Sequence, residues 1–319
     1  TAVIASDITT IEYARRIGME VHISTQLNIS NTEAVRFYSQ YADVMVLARE
    51  LNLDQVKAIT DRIASEHIMG PSGRPVQIEM FCHGALCMAV SGKCYLSLHE
   101  NNHSANRGSC LQLCRRGYRV TDLETGYELE IDNKYIMSPK DLCTIEFLDK
   151  MAAAGVSVFK IEGRARPAEY VQKVVSAYRA AADAVEAGTF TQEFGASFRD
   201  QLSQVFNRGF WDGYYQGARL GEWSSVYGSS ATMKKTYAGK VNNYFSNLGV
   251  AEIIVEAAPL KVGQHILIIG PTTGVVEMDI PEIRVDLIPA QSAAQGVACS
   301  IPVPSRVRRA DKVYIFEHK

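Results

Sequence analysis

Hydrophobic and polar positions follow two alternating patterns in the first 165 residues. Short runs rich in β-branched residues end in polar side chains, and a segment with apolar positions at helical spacing follows each run. Strands that alternate with helices in this way are typical of a parallel sheet. The predicted strands cover residues 2–6, 20–25, 43–48, 76–81 and 156–164.

The segments between these strands predict helices. Asn31 is placed to cap a helix that begins at Thr32. A Gly70-Pro71-Ser72-Gly73 turn follows the helix that begins near Leu53. Residues 141–155 are predicted to form one helix, and residues 167–188 a second, longer one.

Helical spacing disappears from about residue 225. Short strand-like runs separated by Gly, Pro and Asn predict a small antiparallel barrel or sandwich there. The chain is therefore predicted to have a β/α domain over residues 1–224 and a β-rich domain over residues 225–319. A closed (β/α) barrel needs eight strands, so the five predicted strands indicate either an open sheet or a barrel without its first three β/α units.

Composition narrows the class of protein. The 319 residues carry a formal net charge of -2, which argues against a protein that coats DNA. No apolar run approaches the ~20 residues of a membrane span, and the first residues do not resemble a signal peptide. Seven cysteines in a chain of this length do not suit a disulfide scaffold, so a cytoplasmic protein without membrane association is expected.

Cysteines are concentrated in one stretch, residues 79–116, which holds five of the seven; Cys143 follows it. Cysteines that only pack in a core are expected to be scattered. Zinc ribbons favour cysteines separated by two to four residues, a spacing that only Cys110 and Cys114 approach. Iron–sulfur ligands tolerate wider spacing. Free buried thiols, a zinc site and an iron–sulfur cluster all stay open on spacing alone.

Ionisable and polar side chains follow the predicted strands. Active sites of parallel barrels lie at the C-terminal strand ends, and guanidinium or ammonium groups there suit an anionic substrate. The alternative is a set of salt bridges that only close this end of the barrel. The predicted acid/base or orienting residues are Glu79, His83 and Glu162, and the predicted substrate-binding residues are Gln26, Arg49, Glu50, Lys160 and Arg164.

A literal H-E-x-x-H match spans His99 to His103. In zinc peptidases both histidines lie on one helical face and the glutamate acts on metal-bound water. Asn101, Asn102 and the residues after His103 are poor helix formers, so the segment is expected to be a loop.

Basic residues of the β-rich domain suggest RNA docking, because small β-barrels often bind oligonucleotides. Solvated surface charge is the simpler interpretation. The residues concerned are Lys234, Lys235, Lys240, Arg306, Arg308, Arg309 and Lys312.

Specific segments extend over most of the chain and closely resemble the collagenase-like peptidase family of unknown catalytic type, family U32. They are Glu79-Met80-Phe81, His83-Gly84-Ala85-Leu86-Cys87, Gly92-Lys93-Cys94-Tyr95-Leu96-Ser97, Asn106-Arg107-Gly108-Ser109-Cys110, Ser138-Pro139-Lys140-Asp141-Leu142-Cys143, Phe159-Lys160-Ile161-Glu162-Gly163-Arg164 and Phe206-Asn207-Arg208-Gly209-Phe210.

The resemblance implies a fold and a metal centre. The fold would be α/β, a TIM-like (β/α) barrel lacking its first three strands in this chain, followed by a C-terminal all-β small barrel. The centre would be a [4Fe–4S] cluster, with zinc or another divalent metal as the alternative. Its implied ligands are Cys87, Cys94, Cys110 and Cys143.

The resemblance also implies two activities. One is prephenate-dependent hydroxylation of the tRNA wobble uridine, with tRNA and a small dicarboxylate such as prephenate as partners. The alternative is a metal-dependent endopeptidase of collagenase type, with collagen or another protein as substrate. Association of the chain into a homo-oligomer is a further expectation.

Overall fold

The computed structural model of the chain describes residues 2–87, 89–90, 92–107, 109–116, 118–131, 139–164, 166–218, 221–222, 224 and 228–319. Two compact units emerge, Thr1–Arg164 with Val174–Ser230, and Ala165–Lys173 with Ala231–Lys319. The predicted domain ranges, 1–224 and 225–319, stay a prediction, because grouping by contacts does not show which segments fold independently. Residue 225 itself lies outside the described residues.

The first unit contains a mixed sheet. In chain order its strands are β1 Ala2–Ala5, β2 Glu20–Ile23, β3 Val44–Val46, β4 Gln77–Ala85, β5 Tyr118–Thr121, β6 Glu128–Ile131, β7 Asp141–Cys143, β8 Val156–Ile161 and β9 Phe210–Trp211. Strands β1, β2, β3, β4 and β8 pair in parallel, in that order, and each overlaps one of the five predicted strands. Strands β5 and β6 form a separate antiparallel pair.

Helices follow the strands as the apolar spacing predicts. They are α1 Ile8–Arg16, α2 Thr32–Tyr38, α3 Leu53–Ser65, α4 Leu96–Asn101, α5 Leu148–Ala153, α6 Ala168–Glu186, α7 Gln192–Ala196 and α8 Arg199–Ser203, with short 3-10 turns at Thr25–Leu27, Leu113–Arg115 and Ile145–Phe147. The Asn31 side chain accepts a hydrogen bond from the backbone N–H of Ala34, which confirms the predicted cap. Asn52 and Gln55 cap α3 reciprocally.

The predicted helix over residues 141–155 is wrong in its first part. Asp141–Cys143 is strand β7, which pairs antiparallel with the end of β4, and α5 begins only at Leu148. The helical spacing of the later residues is real, but a buried edge at the end of β4 draws the first three residues into the sheet. This pairing places Cys143 directly opposite His83.

The mixed sheet is open among the described residues. Strand β1 pairs with β2 on one side, and no other described strand pairs with it. Ile4 on this edge is 56% exposed, and Ile8 and Ile17 of the adjoining segment are also exposed. The α/β class is confirmed, whereas the TIM-like barrel lacking its first three strands stays a prediction.

The second unit contains an antiparallel sheet, in the order β14-β13-β19-β10-β11-β18-β15-β16. Its strands, with the short pair β12 and β17, are β10 Met233–Phe245, β11 Val250–Val255, β12 Leu260–Lys261, β13 His265–Gly270, β14 Gly274–Asp279, β15 Ile283–Val285, β16 Ile288–Ala290, β17 Ser292–Ala293, β18 Ala298–Pro302 and β19 Lys312–His318. The all-β character is confirmed, and closure into a barrel stays a prediction.

An apolar core lies within this C-terminal sheet. It is formed by Val241, Ile253, Ile266, Ile301 and Val313 with their neighbours, all buried. At Gly239 a Cβ atom would lie 2.0 Å from the carbonyl oxygen of Ile254, so only glycine fits where β10 passes closest to β11. No helix in the described part of the chain is long and apolar enough to cross a membrane.

Candidate functional site at the strand ends

Glu79 lies on β4 between two basic side chains. Its Oε1 is 2.7 Å from Lys160 Nζ on β8, and its Oε2 is 3.2 Å from His22 Nδ1 on β2. Parallel pairing of β4 with β8 places Lys160 opposite Phe81. Phe81 lies two residues after Glu79, so the side chains of both point to the same face of β4. The Glu79 carboxylate is only 5% exposed, so the ion pair compensates the cost of burying its charge. Glu79 and Lys160 thus form a salt bridge, as expected if the charged residues at the strand ends only stabilise the fold.

Arg49, just after β3, has no carboxylate within ion-pair distance among the described residues. Its guanidinium carbon lies 3.8 Å from the centroid of the Phe81 ring, and Nη1 donates to the carbonyl oxygen of Ala85 at 3.4 Å. Its Nε is buried and has no hydrogen-bond partner in the part of the chain that the structure describes. Burial lowers the pKa of Arg49, and the charges of Glu162 and Cys87 nearby only partly oppose this effect.

His83 lies at the centre of a buried polar cluster. Its Nδ1 is 3.3 Å from the hydroxyl of Tyr178 on α6, and its ring packs against Phe210 with the centroids 5.7 Å apart. The Tyr178 hydroxyl donates to the carbonyl oxygen of Cys82 at 2.8 Å and accepts from the backbone N–H of Thr144 at 2.9 Å. One tyrosine therefore links β4 to the residue that follows β7.

Cys143 belongs to the same buried cluster. Its sulfur lies 3.8 Å from the Tyr178 hydroxyl, and burial raises the pKa of its thiol to about 11. Burial also raises the pKa of Cys82, whose thiol donates to the carbonyl oxygen of Lys160 at 3.3 Å. Both thiols are therefore protonated and unreactive at neutral pH in this arrangement.

The other predicted ligands are more accessible. Cys87 is exposed, Cys94 and Cys110 are half-buried, and each is a free thiol. Cys110 Sγ accepts the backbone N–H of Gln112 at 3.4 Å. Among the described residues, no three His, Cys, Asp or Glu side chains are close enough together to bind one metal ion. The metal centre and its ligand set therefore stay a prediction.

The remaining predicted substrate-binding residues occupy different surroundings. Gln26 accepts a hydrogen bond from Ser6 and donates to the carbonyl oxygen of Asn106, which ties the end of β2 to the cysteine segment. A Cβ at Gly92 would lie 2.9 Å from Gln26, so the two segments are in close contact.

Glu162, Arg164 and Glu50 lie near the surface of the first unit. Glu162 accepts the backbone N–H of Arg164 at 2.8 Å, and the side chains of Arg164 and Glu50 are exposed. The roles predicted for these three residues and for Gln26 stay predictions.

The H-E-x-x-H segment has the wrong geometry for a zinc peptidase. Helix α4 contains His99 and Glu100, contrary to the predicted loop, but it ends at Asn101. Asn102 adopts a left-handed conformation with φ 57°, so His103 leaves the helical path. His103 instead lies 2.7 Å from the Ser109 hydroxyl. The two histidines therefore do not occupy successive turns of one helix, as the peptidase motif requires.

Three contributors to the site were not singled out from the sequence. Tyr178 sits on the buried face of α6, and its hydroxyl gives no signal in a helical pattern. His22 is one of two basic partners of Glu79. Arg208, buried after α8, contacts Asp141 at 3.5 Å and donates to Gln112 at 3.1 Å, linking β7 to the cysteine segment. For Arg208 the available signal was its position in the family-like segment Phe206-Asn207-Arg208-Gly209-Phe210.

Comparisons with known proteins agree with the motifs. The family model for peptidase family U32 matches residues 1–225. The chain is 59% identical to a protein named collagenase from Porphyromonas gingivalis over 319 residues, 100% of this chain and 77% of that protein. It is 36% identical to an uncharacterized protease of Methanocaldococcus jannaschii over 99% of this chain and 77% of that protein.

A third relative carries a different kind of name. The chain is 36% identical to tRNA hydroxylation protein P1 of Bacillus subtilis over 252 residues, 76% of this chain and 56% of that protein. Relatives of this chain thus carry names for proteolysis and for hydroxylation. With a family model covering more than half of its length, the chain belongs to peptidase family U32.

Proposed function

We propose that the protein supports prephenate-dependent hydroxylation of the wobble uridine of tRNA, and that Arg49 binds a carboxylate of the small dicarboxylate. The observation that carries the proposal is the partly buried guanidinium of Arg49, whose buried Nε has no hydrogen-bond partner and which lacks a carboxylate partner among the described side chains. A buried cation without an anion costs free energy, and a ligand carboxylate removes that cost on binding.

Surroundings of Arg49 suit an organic anion. The Phe81 ring holds the guanidinium at 3.8 Å and offers an apolar contact. Lys160 Nζ lies 5.4 Å from the centroid of the same ring, so a second cation is close by. Because Lys160 is already paired with Glu79, it would orient the second carboxylate of the ligand rather than bind it alone. These contacts favour a dicarboxylate over a neutral substrate.

Substitution of Arg49 tests the proposal. Arg49→Met should weaken prephenate binding roughly 10- to 100-fold, because a hydrogen bond to a charged group contributes about 1.5–3 kcal/mol. Isothermal titration measures the affinity, and mass spectrometry of tRNA nucleosides from a complemented deletion strain measures the hydroxylation. Arg179→Gln is the matched control, since Arg179 is an exposed partner of Asp183. Unchanged wobble uridines in the deletion strain would contradict the proposed reaction.

A [4Fe–4S] cluster on Cys87, Cys94, Cys110 and Cys143 is the second part of the proposal. Support comes from four free thiols and from the N–H···S bond at Cys110, a contact that tunes cluster sulfurs. No step of the reaction is assigned to the cluster, because these donors are not gathered in the present arrangement.

Metal analysis tests the cluster. Protein purified without oxygen should contain about four iron atoms per chain and absorb visible light. Cys94→Ser should lose both signals, whereas Cys299→Ser, a buried thiol of the C-terminal sheet, should keep them. One zinc and no iron per chain would exclude the cluster.

A collagenase-type peptidase is the second candidate function. It is favoured by one observation, the 59% identity to a protein named collagenase over the whole chain. Gelatin digestion that disappears with EDTA and in the His99→Ala variant would support it. Digestion that survives the substitution would exclude the H-E-x-x-H segment.

A cytoplasmic location and homo-oligomerisation belong to the same proposal. Fractionation of cells and sedimentation velocity of the purified chain would check them.

A further inference from the structure

We propose that residues 304–312, here called the basic loop, form a docking surface for the phosphate backbone of RNA, through Arg306, Arg309 and Lys312. The choice of tRNA as the ligand rests on the proposed function; the surface itself rests on the charges described below. The loop leads into β19 of the C-terminal unit and ends at Lys312, the first residue of that strand.

Ion pairing separates the basic residues of this unit into two groups. The lysines of β10 are already neutralised by carboxylates. The second group is Arg306, Arg309 and Lys312. All three are exposed, and none has an ion pair in the described part of the chain. The pairs of the first group are Lys234–Glu317 at 3.0 Å, Lys235–Glu169 at 2.6 Å and Lys240–Glu256 at 2.6 Å.

The carboxylate of the basic loop does not offset its cations at the surface. Asp311 is 3% exposed. It accepts hydrogen bonds from the Thr273 hydroxyl at 2.5 Å and from the backbone N–H of Arg308 at 2.7 Å. Arg308 donates to the Thr273 hydroxyl at 3.1 Å and is half-buried. The negative charge thus faces the protein, and the unpaired positive charges face solvent.

The backbone of the basic loop is ordered by its own contacts. Val307 is 1% exposed and anchors the loop in the core. The backbone N–H of Asp311 donates to Arg308 at 3.1 Å, and that of Ala310 donates to Val241 at 2.8 Å. A preordered loop loses little conformational entropy when its side chains bind a ligand.

Chemistry of the surface favours phosphate. The adjoining turn between β13 and β14, Pro271-Thr272-Thr273, adds the exposed hydroxyl of Thr272 and no carboxylate. Arginine binds phosphate oxygens in bidentate fashion. Val307, the one large apolar residue of the loop, is buried, and the exposed apolar residues Pro304 and Ala310 are small. The loop therefore lacks the large exposed apolar side chains with which a membrane-binding loop inserts into lipid.

Fluorescence anisotropy with an unmodified tRNA transcript over a range of salt concentrations tests the proposal on the full chain. In Arg306→Gln/Arg309→Gln, the slope of log K against log salt should fall by about two, because each phosphate contact contributes about one. Affinity at low salt should fall at least roughly tenfold. The matched control is Lys234→Gln/Lys240→Gln, which removes the same charge from paired sites and should change affinity less than about twofold.

Three results would overturn the proposal. The first is that the wild-type protein fails to bind the transcript. The second is that both double variants weaken binding equally. The third is that the basic-loop variant loses binding of polyglutamate but keeps binding of RNA. Circular dichroism confirms that both variants are folded. The two proposals fail separately: Arg49→Met should keep tRNA binding, and unchanged nucleosides in the deletion strain would exclude hydroxylation without affecting the docking result.

Discussion

The strand ends of the first unit and the core of the C-terminal sheet bury very different groups. Around β4 the buried side chains include Glu79, His83, Asp141 and Arg208, each with polar or charged contacts. The C-terminal sheet encloses aliphatic residues with Cys299 as the most polar member of its core.

This difference indicates where stability and chemistry reside. Burial of polar groups costs free energy unless each finds a partner, so a sheet that keeps many of them is less stable than its area suggests. An aliphatic core contributes free energy of unfolding and little else. We therefore expect substitutions in the C-terminal core to change stability alone, and substitutions at the strand ends to change function as well.

The largest effect on stability is expected at Ile253, a fully buried residue of β11. Ile253→Ala should lower the free energy of unfolding by about 3–4 kcal/mol, because it removes buried methyl groups and leaves a cavity. Urea unfolding measures the change. A loss below about 1 kcal/mol would show that the C-terminal core is not packed as described.

A smaller loss is expected when the buried ion pair of the first unit is broken. Lys160→Met leaves the Glu79 carboxylate with His22 alone and should cost about 2 kcal/mol at neutral pH, below the loss for a fully buried pair because Lys160 is 20% exposed. The double variant with Glu79→Gln should recover most of this loss. Equal losses in the single and double variants would contradict coupling between the two residues.

Removal of the Tyr178 hydroxyl should have a modest effect on stability. Tyr178→Phe should cost about 1 kcal/mol, since the backbone N–H of Thr144 also donates to the carbonyl oxygen of Cys82 at 3.1 Å. A larger effect is expected on the proposed tRNA hydroxylation, because His83 and Cys143 lose a shared contact. Hydroxylation that stays at the wild-type level would show that this cluster only supports the fold.

The smallest effect is expected at His265 in the C-terminal sheet. Partial burial disfavours its charged form, but hydrogen bonds with Glu277 and Asp279 outweigh this and raise the pKa of His265 above 6.5. The unfolded pKa is therefore lower than the folded one, so the stabilisation is complete below about pH 6.5 and is lost as pH rises through the folded value. Its size should stay below about 1 kcal/mol, because the side chain is 35% exposed.

Unfolding of wild type and His265→Gln between pH 5 and 9 measures this contribution. The difference between the two proteins should shrink as pH rises. A difference that is independent of pH would exclude a charged His265.

Local structure was largely predictable because it depends on neighbouring residues. The five parallel strands, the Asn31 cap and the long helix α6 each follow from apolar spacing or from a capping side chain a few positions away. Residues 141–143 were assigned wrongly because helical spacing begins just after them, and only pairing with the distant end of β4 makes them a strand.

Side-chain contacts at the site were decided by the tertiary structure. The sequence alone identified the strand-end residues Glu79, Arg49 and Lys160 as charged, since residue type and strand position are local properties. It could not determine that Lys160 is paired with Glu79 while Arg49 has no carboxylate partner among the residues that the structure describes. The reason is that β3, β4 and β8 lie far apart in the chain and meet only through sheet pairing. The same holds for the basic residues of the C-terminal unit. Contacts between distant strands determine that Lys234 and Lys240 are paired with carboxylates.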